Sequence, residues 1–451
     1  ENQFDDDGNW PQWFMFDRYE EQKASESHGD IIVWPLKVVT DYLEQTADYS
    51  ILATEIPYTS RKDNHKTKET ASLFEHLKKE INYIEQHFLP ETFLSCYGDG
   101  DWDDTLQPYD NRLKEQMASS WTVALTYQVL KKFAALITEI DATYSQHLAI
   151  LVAGIKNDFQ KYMLADETIP GFIYMETPEN FEQMIHPNDQ KTGIQYRLLP
   201  MTRSMLAELL TPEQVSHHLE IIEKELTFPD GVRLMNKPAN YRGGVSTNFK
   251  RAEQAANFGR EIGLQYVHAH IRYTEAMAKI GQRDKTWQAL MQINPVQLKE
   301  GVHNAELRQA NAYFSSSDGD FKTRYESQEN FGKLKDGSIG VKGGWRIYSS
   351  GPGIYLNQLI TAVLGIRQKA QSVVFDPMLP EKLSGLTLTY QLFDKPVTYK
   401  FYPNQSAKIV IDGQEVPFKF EENPYREGGM EVQKDEVLSL LNEASVIEIY
   451  H

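Results

Sequence analysis

Apolar positions recur every three or four residues over much of residues 36–366, the spacing of one face of a helix. Val38, Val39, Tyr42 and Leu43 predict a helix from Leu36 to Ala47. Leu73, Phe74, Leu77, Ile81, Ile84 and Phe88 predict a second, from Ala71 to Phe88. Met117, Trp121, Leu125, Leu130 and Phe133 mark one long helix from Arg112 to Ala135. Asp141 is placed to cap the next, which runs to near Leu164. Shorter helices are expected at Met201–Leu210 and Pro212–Leu226, the second opened by Thr211, Pro212, Glu213 and Gln214. Others follow from near Leu264 to Ile280, from Asp284 to Ile293 and from Tyr355 to Ile366. Residues 1–35, 165–198 and 227–250 have no clear period, and residues 301–354 allow short strands.

After Arg367 the texture changes. Leu386–Phe393, Val397–Tyr402, Lys408–Ile411, Val416–Phe420 and Val446–Tyr450 read as strands, several with alternating character. Asp412-Gly413 reads as a hairpin turn. The chain is therefore expected to be mainly α, with residues 1–367 forming a helical domain and residues 368–451 a small C-terminal β domain. Helix pairs whose connecting loops carry polar residues point to an α/α toroid with its site at one end.

Composition narrows the functional classes. The formal net charge of -18 argues against nucleic acid or an anionic membrane as partner. It does not exclude a small anion held by local donors. The one cysteine, Cys96, allows no disulfide within the chain and no cysteine-rich metal site. The best apolar run, His147–Ile155, is too short to span a membrane. No basic or apolar signal region follows Glu1, so a cytoplasmic location is expected.

Three clusters carry candidate chemistry. The first is Tyr97–Gln107, with Asp99, Asp101, Asp103 and Asp104 around Trp102 and after two glycines. Carboxylates beside an indole suit a site that holds a sugar and protonates its glycosidic oxygen; an acidic surface turn has the same composition. In the second, Arg260, Glu261, Gln265, Tyr266 and His268 are close in sequence. Glu261, Gln265 and His268 would share one helix face, as ligand-holding groups or as a hydrogen-bonded link between helices. The third is Gly343-Gly344-Trp345-Arg346 through Ser349, Ser350 and Gly351, ahead of a helix. Such a loop suits anion binding by backbone amides, or a tight turn, and it lacks the spacing of a P-loop.

Together and in this order, the clusters resemble the cellobiose-phosphorylase family of inverting β-glucoside phosphorylases, glycoside hydrolase family 94. The family's Gly-Asp-Trp-Asn-Asp loop is similar to Gly100-Asp101-Trp102-Asp103-Asp104. Its Arg/Lys-Glu-Asn-Gly-x-x-Tyr-x-His segment is similar to Arg260–His268. Its phosphate loop resembles Gly343-Gly344-Trp345 with Tyr348-Ser349-Ser350-Gly351. Gly365-Ile366-Arg367 and Asp376-Pro377 fit the family's linker. The serine-rich phosphate loop is closest to the branch acting on β-1,2-linked oligoglucans.

The resemblance implies an (α/α)6 barrel followed by a β-sandwich or jelly-roll domain. It implies inverting phosphorolysis of a β-linked gluco-oligosaccharide to α-glucose 1-phosphate, with β-1,2-glucan oligomers favoured over cellobiose or cellodextrin. Asp104 is then the catalytic acid. Trp102, Asp101, Glu261, Tyr266, His268 and Arg260 contact the sugar, and Ser349, Ser350, Gly351 and His268 contact phosphate. Inorganic phosphate is the co-substrate, with no cofactor and no metal. An inverting hydrolase using Glu261 as base, or a non-catalytic carbohydrate-binding fragment, are the alternatives.

Three departures shape the expectation. Asp103 stands where the family has Asn, and a second carboxylate beside Asp104 favours keeping one of them protonated. Gly337-Ser338-Ile339-Gly340 stands where the family has a histidine before the phosphate loop. Family members also carry an N-terminal β-sandwich, a helical linker and the first barrel helices, with an Arg-Asp segment for the reacting sugar. The chain is therefore expected to be the C-terminal portion of such an enzyme, lacking the first barrel helices. Its partner would be the N-terminal portion, with a homodimer also allowed.

Overall fold

The computed structural model describes residues 2–25, 27–254, 263–296, 298–306, 315–343 and 350–451, with Lys299 and Ser350 described through their backbone alone. Its helices up to the β region are α1 (Trp34–Thr46), α2 (Leu73–Gln86), α3 (Asn111–Gln116), α4 (Ser120–Leu136), α5 (Ala142–Asp158), α6 (Leu198–Leu206), α7 (Pro212–Ile221), α8 (Val267–Lys279), α9 (Arg283–Gln292), α10 (Leu298–Gly301), α11 (Arg324–Asn330) and α12 (Ser350–Gln358). Local chemistry sets several starts. Ser72 accepts from the Glu75 amide, and Asp141 from the Tyr144 amide. Thr211 and Gln214 form a reciprocal capping box, with Pro212 in the first turn.

Helices α1, α4, α6, α8 and α12 pack each against the next in that order. α5 lies on α4 and α9 on α8. Burial varies among the helices. On α8, Val267, Ala269, His270, Ile271, Tyr273, Thr274, Ala276, Met277 and Ala278 are buried, on nearly every side of the helix. On α2 the buried residues form one stripe, from His76 to Ile84. A cavity of about 920 Å3 opens among α1, α4, α6, α8, α12 and the turn after Leu392.

The helix expected from Arg112 to Ala135 is two helices separated by a strand. Met117–Ser119 breaks it and pairs antiparallel with Phe172–Thr177. Ser119 then caps α4 by accepting from the Thr122 amide. Periodicity across 112–135 is blind to this, because the broken residues are all apolar or small and fully buried. The stretch 165–198, expected to be irregular, holds the hairpin Phe172–Thr177/Asn180–Met184. The polar stretch Thr59–Thr67 is the turn of another hairpin, Glu55–Thr59/Lys66–Ser72.

Beyond Gly365 the described residues form two sheets. One has the order Ile366–Gln368, Ser372–Phe375, Met430–Gln433, Lys419–Phe420, all antiparallel. The other has the order Leu386–Leu392, Lys395–Tyr402, Ser445–Tyr450, Lys408–Ile411, Gln414–Val416, with the pair Lys395–Tyr402/Ser445–Tyr450 parallel. The expected turn Asp412-Gly413 joins Lys408–Ile411 to Gln414–Val416. A short helix, α13 (Lys434–Leu440), with Asp435 and Glu436 in its first turn, precedes the final strand and is not among the expected elements. Phe375 of one sheet and Tyr399 and Phe401 of the other share one core, which also takes in Leu290 of α9. Gly365 has φ +67°, and a Cβ there would sit 2.1 Å from the Asp376 carbonyl carbon, so glycine alone fits this junction. Arg426 ties the two regions. Its guanidinium donates to both carboxylate oxygens of Asp376 at 2.8 and 2.9 Å and to the Ala278 carbonyl at the end of α8.

Candidate active site

The acidic loop is built on two glycines with positive φ, Gly98 at +60° and Gly100 at +147°. Tyr97 N–H donates to the Met117 carbonyl at 2.6 Å and Gly98 N–H to the Lys114 carbonyl at 3.0 Å, which fixes the loop to the break between α3 and α4. Asp99 pairs with Lys114 at the surface.

Asp101 turns inward. Its two oxygens accept from Arg197 Nη2, both at 2.9 Å, and Oδ2 also accepts from Ser119 Oγ at 2.7 Å. Asp101 Oδ1 further accepts from the Asp103 amide at 2.9 Å. Asp103 accepts from Thr105 Oγ1 at 2.7 Å and lies 4.0 Å from Arg197. Asp101, Asp103, Ser119 and Arg197 are all fully buried. Asp104 differs: its side chain is 40% exposed and opens the turn Asp104–Leu106. It lies 3.7 Å from His28 Nδ1 and 3.6 Å from Arg251 Nη1. The turn carrying Arg251 is held there by backbone bonds from Ala252 to Thr105 and from Lys250 to Gln107, both 2.9 Å.

Trp102 faces the start of α8. Its ring meets Tyr266 edge-on at 4.9 Å and His268 edge-on at 5.3 Å. Tyr266 is in the strand Gln265–Tyr266, which pairs with Ser316–Gly319. Burial drives the His268 imidazole down to about 3, helped by the charges of Arg272 and Arg203, so the ring is neutral near pH 7.

A third buried carboxyl, Asp30, adds its charge to those of the loop. Asp30 Oδ2 accepts from Trp34 Nε1 at 2.9 Å, while Oδ1 is buried with no protein hydrogen-bond partner. Burial first, and then the charge of Asp101, push Asp30 up to about 7, against the opposing Trp34 bond; Asp104 adds a smaller push.

Residues 15–322 match the glycosyl hydrolase 94 superfamily, catalytic domain. The chain belongs to this family. Residues 365–450 match the glycoside phosphorylase C-terminal domain. Over 446 residues the chain is 51% identical to the 1,2-beta-oligoglucan phosphorylase of Listeria innocua, covering 99% of this chain and 40% of that protein. It is 24% identical to solabiose phosphorylase of Paenibacillus borealis, over 47% of this chain and 26% of that one. It is 22% identical to the cyclic beta-(1,2)-glucan synthase NdvB of Rhizobium meliloti, over 79% of this chain and 12% of that one. The chain thus spans less than half the length of each of these relatives.

Within this family-94 frame, Trp102, Tyr266 and His268 meet ring to ring, and Asp104 follows Trp102 by two residues in the same loop, facing His28 and Arg251. Asp101 does not join them as a sugar contact, because it is buried in the Arg197 ion pair and has no surface to offer. Gln265 and His268 do not share a helix face, because Gln265 is in a strand and the helix α8 begins only at Val267. Arg260, Glu261 and Ser349 lie outside the described residues. Ser350 opens α12, and Gly351 is buried in its first turn. Ile354 and Tyr355 of α12 pack on Val267 and Ile271 of α8, which sets the start of α12 beside the start of the helix carrying His268.

Sequence reasoning missed His28, Asp30, Arg197 and Arg251. They lie about 70 to 150 residues from the acidic loop and belong to no short motif, so local spacing carries no signal for them. Among the described residues no group of three or more His, Cys, Asp or Glu is arranged to hold a metal ion, and no helix is long and apolar enough to cross a membrane.

Proposed function

We propose that this chain carries the acid-catalytic side of an inverting β-glucoside phosphorylase acting on β-1,2-linked gluco-oligosaccharides. The observation that carries the reading is the sorting of the acidic loop. Asp101 and Asp103 are buried as its frame, and Asp104 is left open two residues after Trp102, whose ring meets Tyr266 and His268. A single accessible acid suits phosphorolysis, since phosphate is already an anion and needs no enzyme base. A phosphate oxygen attacks the anomeric carbon from the face opposite the leaving sugar. As the glycosidic bond breaks, its electron pair goes to the leaving oxygen, which takes the Asp104 proton. The products are α-glucose 1-phosphate and a sugar one unit shorter. Trp102, Tyr266 and His268 wall the reacting sugar, and Ser349, Ser350 and Gly351, with His268, hold the phosphate. No cofactor is needed.

The β-1,2 preference is supported by the 51% identity to a 1,2-beta-oligoglucan phosphorylase. The ordered series α1, α4, α6, α8, α12 supports reading these as inner helices of an (α/α)6 barrel, and the shared core of the two sheets supports a C-terminal β-sandwich. We divide the domains at 367/368. Coverage of 40% of that relative supports an accompanying N-terminal portion. Homodimerisation and a cytoplasmic location belong to the same proposal.

The test is phosphate-dependent release of glucose 1-phosphate from β-1,2-linked oligomers, with cellobiose as comparison. Asp104→Asn is expected to lower turnover by about a thousandfold or more with folding intact. Near-normal phosphorolysis by that variant overturns the assignment. Release of free glucose without phosphate indicates a hydrolase instead.

A further inference from the structure

We infer that His28 is a positioning residue that holds the Asp104 carboxyl in its working orientation, a role that rests on Asp104 being the proton donor. His28 is buried, although Asp104 is not. Its Nδ1 lies 3.7 Å from Asp104 Oδ1, and its Nε2 lies 3.3 Å from the side-chain nitrogen of Gln107. The imidazole therefore touches both ends of the short turn that presents the acid.

The ring is fixed to the loop by backbone rather than by its own tether. Gly29 N–H donates to the Gly100 carbonyl at 2.8 Å, and His28 pairs with Gly98 as an antiparallel bridge. Neither glycine has room to spare. A Cβ on Gly29 would sit 2.5 Å from the Tyr97 carbonyl oxygen, and one on Gly100 would press on three His28 ring atoms at 3.3–3.4 Å. On the far side, Gln12 Nε2 comes within 3.5 Å of Nδ1, at the limit of a hydrogen bond.

In this scheme Nε2 accepts from the Gln107 amide and the ring proton is on Nδ1, the nitrogen that faces Asp104, so that Gln12 Nε2 at 3.5 Å is a neighbour of Nδ1 and not a donor to it. A separation of 3.7 Å is too long for a hydrogen bond in the free protein and short enough to become one when substrate closes the site. The imidazole N–H then pins one carboxyl oxygen, so that the other carries the transferable proton toward the glycosidic oxygen. His28 touches no sugar in this scheme and acts only through Asp104.

The experiment uses the enzyme as it occurs in its source, with His28→Ala, His28→Asn, Asp104→Asn and the Asp104→Asn/His28→Ala double variant assayed for phosphorolysis of β-1,2-linked oligomers. His28→Ala is expected to lower kcat by about 10- to 100-fold, with KM for sugar and phosphate moving by less than about threefold. His28→Asn, which keeps an N–H near the Nδ1 position, should recover most of that loss. In the double variant, removing His28 should cost nothing beyond Asp104→Asn. A His28→Ala enzyme with normal kcat, a loss confined to KM, no recovery by Asn, or a loss that multiplies on Asp104→Asn would each overturn the inference. If Asp104→Asn itself is near normal, it is the Asp104 reading that fails. Near-ultraviolet circular dichroism of His28→Asn guards against a folding defect.

Discussion

Arg197 Nη2 lies 2.9 Å from both oxygens of Asp101, and neither side chain has any surface exposed. The pair joins residues 96 apart in the chain and sits directly behind the loop that presents Asp104. Burying two charges costs solvation, which the mutual attraction offsets only if the remaining polar atoms are satisfied. Ser119 Oγ and the Asp103 amide supply further bonds to Asp101, while Arg197 Nε is buried with no protein partner.

Removing one partner leaves the other charge buried and unpaired. Arg197→Ala is therefore expected to destabilise the protein by about 3–5 kcal/mol. Ser119→Ala removes both the α4 cap and a bond to Asp101, and is expected to cost about 1–2 kcal/mol. Urea unfolding checks both. If Arg197→Ala unfolds at the parent's midpoint, the pair is not a frame for the loop.

Asp30 gives stability a pH dependence. Its carboxyl is raised from 3.8 to about 7, mainly by burial. The folded state therefore binds the Asp30 proton more tightly than the unfolded chain does. The stability that goes with this proton is complete below about pH 4 and is lost as pH rises through about 7. Asp30→Asn keeps an acceptor for Trp34 Nε1 and never ionises. Relative to the parent it should gain, on the order of a few kcal/mol, as pH rises from about 4 to 8. Denaturant midpoints at the two ends measure this. An unchanged difference between variant and parent at both pH values would show that Asp30 ionises freely.

His268 works as a neutral ring. Burial and the neighbouring Arg272 and Arg203 hold it at about 3, well below the usual imidazole range. His268→Gln is accordingly expected to lower kcat/KM by about 10- to 100-fold to the same extent across about pH 5 to 8, without moving either limb of the profile. A limb that disappears in the variant would mean that His268 titrates in the working range.

The helices were legible where one face alone is buried. α2 shows its stripe in sequence and its predicted bounds differ by two residues at each end. α4 is buried nearly all round, so its start at Ser120 was hidden within a continuous apolar pattern. The hairpin Phe172–Thr177/Asn180–Met184 escaped for a related reason: Phe172 to Met175 are buried on both faces and show no alternation. Lys395–Tyr402 and Ser445–Tyr450, half-buried, alternate and are legible, whereas Ser372–Phe375, buried throughout, carries no alternation and is not.

The sequence by itself determined the chemistry available: a carboxylate loop around an indole, a Tyr-x-His segment and a glycine-serine loop, in an order that one family shares. That follows from local backbone needs, since tight loops require glycine and proton transfer requires an ionisable group at a set position. Which carboxylate stays open was decided only in three dimensions. Asp101, Asp103 and Asp104 are nearly interchangeable as letters, and the burial of Arg197 and Ser119 against one of them separates the buried frame from the open carboxylate. Desolvation and ion pairing depend on neighbours brought in from distant elements, and no spacing rule within the loop encodes them.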